Sequence, residues 1–418
     1  MNVLQGYTKI RKKRRIWVKK GLACILSVIF FMEIGLVPFG KATIARAEAE
    51  KKGSIKELPV TAEAAVLMEM DTKTIIGAKN PTEQRPIASV TKVMTLLLIM
   101  ESIAEGNLKL SDIVTVSEYA ASMGGSQVFL EPGETQDVET MIKCISISSA
   151  NDACVAMAEH LAGSEEAFVA KMNEKAKELG MEHTTFLNCC GLDVSGHVSC
   201  AKDVAIMSAE LMKHHPEIQK YATTWMDTIV HNTRRGASEF GLANTNKLLK
   251  QYNGITGLKT GSTNEAKYCL TATAERNGVK LVAVILGAPD TKTRFREAAA
   301  LLDLGFATCK MYCDDGSDLN LSKIKVRKGN ETTISAGLKE PFRYVISDES
   351  DSMNMKKEIK IKKELQAPIK EGDVVGQCIF SSNEKILGYV DIISLDNIDK
   401  LTYQSCMKRC FNIFFNTK

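Results

Sequence analysis

Pro86-Ile-Ala-Ser89-Val-Thr-Lys92-Val-Met-Thr-Leu96-Leu-Leu-Ile-Met100 sets a serine and a lysine three residues apart at the head of a nearly all-apolar run. A helix that is apolar all round has to be buried, so residues 89–103 are expected to form a central helix. Lys92 then lies one turn beyond Ser89 on the same face, where its amine can reach the serine oxygen. Taken alone, such a pair is an ordinary cap and a surface lysine. The same S-x-x-K spacing also occurs at Ser322, Ser382 and Ser405.

The sequence around this helix alternates between two kinds of element. Upstream, Ala64–Met70 and Thr74–Ala78 flank a turn at Asp71-Thr-Lys73 and read as a strand pair. Helical periodicity marks 137–145, 151–162 and 165–179. Extended apolar runs return at 268–275 and 279–287 around Arg276-Asn-Gly278, and a helix is expected over 298–306. Helices framed by early and late strands imply an α+β domain whose sheet is assembled from both ends of the segment. From about Asp315 the pattern changes to short strands near 323–327, 332–335, 358–362, 373–380 and 386–394, a small all-β domain. The expected divisions are a leader over 1–47, a linker over 48–58, a catalytic domain over 59–312, a β-rich domain over 315–396 and a terminal helix over 401–418.

Two further motifs follow the first in order. Ser149-Ala-Asn151 and Lys259-Thr260-Gly261 begin 60 and then 110 positions further on, and Lys-Thr-Gly occurs once. A serine hydroxyl is a poor nucleophile until a base takes its proton, and an amine does so only where burial or neighbouring positive charge lowers its pKa. A second hydroxyl at Ser149 can relay a proton while the Asn151 amide holds substrate or Lys92. Both residues would also serve as ordinary helix caps. Lys259 and Thr260 suit a substrate carboxylate, and Gly261 allows close backbone approach. The Ser262 amide is placed to join the Ser89 amide in an oxyanion hole. The six histidines fall outside all three motifs, and there is no G-x-S-x-G elbow, P-loop or dinucleotide fingerprint.

Composition narrows the setting. Residues 1–47 carry ten Lys/Arg against Glu33 alone, so the remainder holds 44 basic and 49 acidic residues. That mildly acidic body has no nucleic-acid footprint. The basic run Lys9–Lys20, the apolar Gly21–Met32 and small residues before Ala47 or Ala49 read as a secretory signal, with an uncleaved anchor as the alternative. Cys189-Cys190, His197 and Cys200 lack the paired C-x-x-C spacing of a zinc site and read as small buried thiols. No cofactor or metal is expected. Near the end, Tyr403, Met407, Cys410, Phe411 and Phe414 fall at helical spacing beside Lys408 and Arg409, which suits either a helix in a membrane interface or one packed on the β domain.

With these motifs in order, the chain resembles the low-molecular-weight penicillin-binding proteins, the D-alanyl-D-alanine carboxypeptidases of serine peptidase family S11. Besides the three motifs, Gly125–Leu130, Ser148–Ala153, Leu179-Gly-Met181, Asn244–Leu249 and Gly257–Gly261 carry the resemblance, which covers about 60–306 and, more loosely, the β-rich region. It implies Ser89 as the acylated nucleophile, Lys92 as its base, Ser149 and Asn151 in proton transfer and positioning, and Lys259 as partner of Ser149. It also implies Arg294 as an arginine that helps fix the substrate's terminal carboxylate. The expected partners are peptidoglycan stem peptides and β-lactam antibiotics, with peripheral membrane contact through the terminal helix. Ala150 stands where the family commonly has glycine, and Cys189-Cys190 departs from its pattern. A class A β-lactamase would need an E-x-x-L-N glutamate, which does not occur between Asn151 and Lys259. A D,D-endopeptidase shares every catalytic residue, and a non-catalytic penicillin sensor would share the fold.

Overall fold

The structure is a computed structural model. It describes residues 56–233, 236–346, 355–382, 385–404, 406–407 and 411, so the expected signal and most of the linker lie outside the described residues.

The central sheet has six strands: β1 (Lys56–Glu57), β2 (Ala64–Glu69), β3 (Thr74–Lys79), β4 (Ile255–Thr263), β5 (Lys267–Arg276) and β6 (Val279–Ala288). Their order is β1-β3-β2-β6-β5-β4, so the first hairpin and the last three strands meet where β2 pairs antiparallel with β6. The sheet is thus built from both ends of the segment. Alternation within each strand serves two cores. Ala64, Val66 and Met68 face one with Val282, Val284 and Leu286, while Ala65 and Leu67 face the other with Leu281, Ala283 and Ile285. Strands covered on both faces read as continuous apolar runs, which is why these segments show little polar alternation.

Six longer helices cover the sheet: α1 (Lys92–Ala104), α2 (Val138–Ile147), α3 (Asn151–Ala162), α4 (Glu165–Glu178), α5 (Ala201–His214) and α6 (Thr291–Thr308). Helix α6 packs on the second core through Phe295, Ala298, Leu301 and Leu302. Gly305 lets it come close, since a methyl group there would stand 2.5 Å from Leu281 Cδ1. Helices α1 to α5 contribute to the first core, with Val93, Met94, Leu96, Leu97 and Ile99 of α1 at its centre. Helix α6 begins seven residues before the expected 298, because Asp290 caps it by accepting from Thr293 N at 2.9 Å.

From Lys310 to Asp399 the described residues hold strands and no helix, while Tyr403, Gln404, Cys406, Met407 and Phe411 are helical. Lys310–Asp314 pairs with Phe342–Ile346, and Ala336–Leu338, Lys385–Ser394, Val374–Ser382 and Met355–Ile361 form a four-stranded sheet in that order. Its core stacks Phe342 on Phe380 at 3.9 Å between ring centres. Among the described residues, no helix is long and apolar enough to cross a membrane. Tyr403 and Met407 of the expected terminal helix are exposed, and most of that segment lies outside the described residues.

Candidate active site

Ser89 stands in a single 3-10 turn, Ala88–Thr91, and Lys92 is the first residue of α1. This differs from the continuous α-helix expected from the sequence. In a 3-10 turn, positions i and i+3 eclipse, which aligns the two side chains. Lys92 Nζ lies 3.0 Å from Ser89 Oγ. It also donates to Asn151 Oδ1 and to the Cys190 carbonyl, both at 2.7 Å.

The middle motif opens α3, yet neither of its polar side chains caps that helix, whose N-cap is Ala150. Ser149 instead has φ +61°, and Ala88, just before the nucleophile, has φ +49°. Non-glycine residues in this region are uncommon and strained, and they persist where surrounding structure holds them. Here the turns aim Ser149 Oγ at Lys259 Nζ, 2.8 Å away, and Asn151 at Lys92. Asn151 Nδ2 donates to the Gly124 carbonyl at 2.6 Å, and its backbone N to the Ser126 carbonyl at 2.7 Å. Next to it, the fully buried Asp152 accepts from the backbone N of Val128 and Leu130, both at 3.1 Å, and so holds the neighbouring loop.

The third motif lies on β4, at one edge of the sheet. Lys259 is 2% exposed, Thr260 is buried and Ser262 is exposed. Burial, and then the charges of Lys92 and Arg294, hold the Lys259 amine well below the usual lysine pKa. A methyl group on Gly261 would stand 2.8 Å from Ile87 O, 2.9 Å from Ser89 N and 3.0 Å from Val90 N, so glycine permits the strand to touch the nucleophile turn. Arg294 is 6% exposed, and its Nη1 donates to the carbonyls of Gly261 and Cys269, both at 3.1 Å. It therefore braces the strand through its backbone. Burial lowers its pKa to about 10.

A family model for D-alanyl-D-alanine carboxypeptidases, Peptidase S11, matches residues 50–290. The chain belongs to that family. A model for the C-terminal domain of penicillin-binding protein 5 matches residues 306–400. The D-alanyl-D-alanine carboxypeptidase DacF of Bacillus subtilis (strain 168) is 41% identical over 376 residues, covering 90% of this chain and 95% of the relative. DacC of Escherichia coli (strain K12) is 33% identical over 349 residues, covering 82% and 85%. The crystal structure of penicillin binding protein 5 from Haemophilus influenzae superposes with a TM-score of 0.67 at 28% identity, covering 82% of this chain and 98% of that one.

Several supports of this S11 site lie outside the three catalytic motifs. Thr245 Oγ1 lies 2.5 Å from Thr260 Oγ1, at the end of a turn that Asn244 and Asn246 hold with their side-chain oxygens. Asn188 Oδ1 accepts from the backbone N of Cys190, Gly191 and Leu192, which fixes the loop whose Cys190 carbonyl holds Lys92. Gly191 has φ +86°, and a methyl group there would sit 1.9 Å from the Ala88 carbonyl. Asn244–Leu249 is among the stretches that carry the family resemblance, and in the other loop the pairing of Asn188 with Gly191 is the signal that could have found it. His197 lies against the nucleophile turn: its Nδ1 accepts from Leu187 N at 3.1 Å, so its Nε2 donates to Thr91 Oγ1 at 2.8 Å. The sequence grouping of His197 and Cys200 with the cysteine pair does not hold in space. Cys200 instead caps α5, accepting from Asp203 N, and the thiol near Cys189 and Cys190 belongs to Cys154. In that trio, burial opposes ionisation of Cys154, but hydrogen bonds from Cys189 and Cys190 and the charge of Lys92 outweigh it and lower its pKa.

Proposed function

We propose that this chain removes the terminal D-alanine from peptidoglycan stem pentapeptides through an acyl-enzyme on Ser89, and that β-lactams acylate the same oxygen. The partner set of Lys92 carries the reading. Two of its three neighbours, Asn151 Oδ1 and the Cys190 carbonyl, can only accept. When Lys92 acts as the base, its amine satisfies both with N–H groups and turns its lone pair to Ser89, the one neighbour able to donate. Ser89 Oγ then attacks the carbonyl between the two D-alanines as its proton passes to Lys92. The Ser89 and Ser262 amides receive the oxyanion, with β4 held against the nucleophile turn by the bare Gly261. Collapse of the intermediate breaks the C–N bond. Ser149 relays a proton to the leaving nitrogen, supported by Lys259, whose amine burial and neighbouring charge make readier to give up a proton. Water then takes the place of the amine and frees Ser89.

Thr260 and Lys259 stand on the edge strand where the terminal carboxylate would lie. Arg294 acts on it through the Gly261 carbonyl and by its charge. The enzyme would act outside the cytoplasm, at the outer face of the membrane or in the cell wall, and the apolar and basic pattern from Leu401 onward supports a membrane contact there. Mass spectrometry of a stem pentapeptide after incubation should show loss of one alanine with repeated turnover, and peptide mapping should place a penicillin adduct on Ser89. Cleavage of cross-linked dimers in preference to pentapeptide would favour an endopeptidase. An adduct on another residue would overturn the mechanism.

A further inference from the structure

The wall behind Lys92 contains three thiols from two elements. Cys154 comes from α3, and Cys189 and Cys190 come from the loop before Gly191. All are buried, all are free, and their sulfurs lie within 4.8 Å of one another. The Cys189 and Cys190 sulfurs are 3.6 Å apart. A metal ion with bonds of about 2.3 Å to sulfur holds its sulfurs roughly 3.8–4.0 Å from one another, so the cluster needs only side-chain adjustment to meet that spacing. Small apolar packing does not require thiols to converge from separate elements. Nor does it place them beside a buried amine, and Lys92 Nζ lies on the carbonyl of Cys190 itself.

We propose that Cys154, Cys189 and Cys190 form a three-sulfur site for a soft d10 metal ion, Cu+ in particular, and that filling it disturbs the base of the nucleophile. Three thiolates with no fourth side-chain ligand in the group suit Cu+, whereas structural Zn2+ takes four ligands. A protonated Lys92 would offset the excess negative charge of three thiolates on a monovalent ion, and in that form it could not take the proton of Ser89. Binding replaces three S–H bonds with three metal–sulfur bonds, sends three protons to solvent and moves no electrons. The coupling follows from the loop. Drawing Cys190 towards Cys154 shifts the carbonyl that holds Lys92, and Gly191 transmits the shift to Ala88, whose carbonyl it abuts. Retention of the ion is independent of the peptidase chemistry above, so the two can fail separately.

The test uses the full chain with Cys24→Ser, Cys313→Ser and Cys406→Ser, titrated anaerobically with Cu+ against a coloured Cu+ chelator. One ion per chain should be retained, with X-ray absorption reporting three sulfur ligands. Retention should vanish in Cys154→Ser and in Cys189→Ser, each checked for folding by circular dichroism, and persist in Cys200→Ser. Penicillin acylation of the loaded protein should fall by about tenfold or more, as expected for losing a hydrogen bond to a charged group, and recover on chelation. No retention, equal retention by folded Cys154→Ser, fewer than three sulfurs, or tighter retention of Zn2+ than of Cu+ would each overturn the site. Undiminished acylation with the ion bound would overturn the coupling.

Discussion

His197 makes the stability of the nucleophile turn depend on acid in a calculable way. The residue is 4% exposed, and burial, opposed in part by Asp193, lowers its pKa from 6.5 to about 4. The fold therefore holds the neutral ring, while the unfolded chain takes up a proton below about pH 6.5. Between these two values the unfolded state binds more protons, so stability rises with pH. The contribution is complete above the unfolded value and declines as pH falls towards the folded one. At about 1.36 kcal/mol per unit, the full window is worth about 3 kcal/mol, of which about 2 kcal/mol is gone by pH 5. Other groups titrate in the same range, so the informative quantity is a difference. Urea unfolding of the wild type and His197→Gln at pH 7 and pH 5 should show the gap between them shrink by about 2 kcal/mol. The variant should also keep a more constant acylation rate over that range, because in the wild type a protonated Nδ1 can no longer accept from Leu187 N, which loosens the ring that donates to Thr91. A gap that stays the same at both pH values would refute the neutral buried ring.

Three further outcomes follow from the site. Gly261→Ala places a methyl group against three backbone atoms of the Ile87–Val90 turn; fluorescent penicillin should acylate it at least about tenfold more slowly, with a cost of about 1–3 kcal/mol in unfolding, and a native acylation rate would remove this contact from the mechanism. Amidating the last D-alanine of the substrate should lower kcat/KM by about 10–150-fold, the worth of a charge-assisted hydrogen bond, whereas equal turnover of acid and amide would take Lys259 and Thr260 out of carboxylate recognition. Ending the chain at Asp399 should release the enzyme from the membrane fraction; equal solubility of both forms would favour a packed tail, and equal membrane binding would favour a retained amino-terminal segment.

The sequence made the chemistry legible because the three motifs have few structural substitutes when they occur together in order. The sheet was legible because β2 and β6 are apolar on both faces, and β5 is β-branched and small with Leu270, Ala272 and Ala274 on one face. Helix α5 was not, since its cap is Cys200, a residue whose sulfur is a weak acceptor and not one of the favoured caps. The hairpin Met226–Thr233 with Gly236–Ala243 escaped for the opposite reason. Its strands are mostly exposed, and what fixes them is remote: Gln136 reaches the Val230 carbonyl and Glu134 pairs with His231, both at 2.8 Å. The place of Cys154 beside the cysteine pair was equally out of reach, because it depends on how α3 crosses the loop and no local pattern encodes that crossing.

Joining β2 to β6 also sets when the enzyme can exist. The two strands are separated by some two hundred residues, and Ser89 and Lys259 meet only once that distance has been closed. Long-range pairings of this kind form late, after the entropy of bringing the ends together has been overcome. A chain emerging from its amino end displays the serine and lysine well before it possesses the strand that completes the pocket. Partial chains are therefore inert by topology. Proteolytic loss of β5 and β6 should likewise abolish acylation completely, leaving no weakened intermediate form.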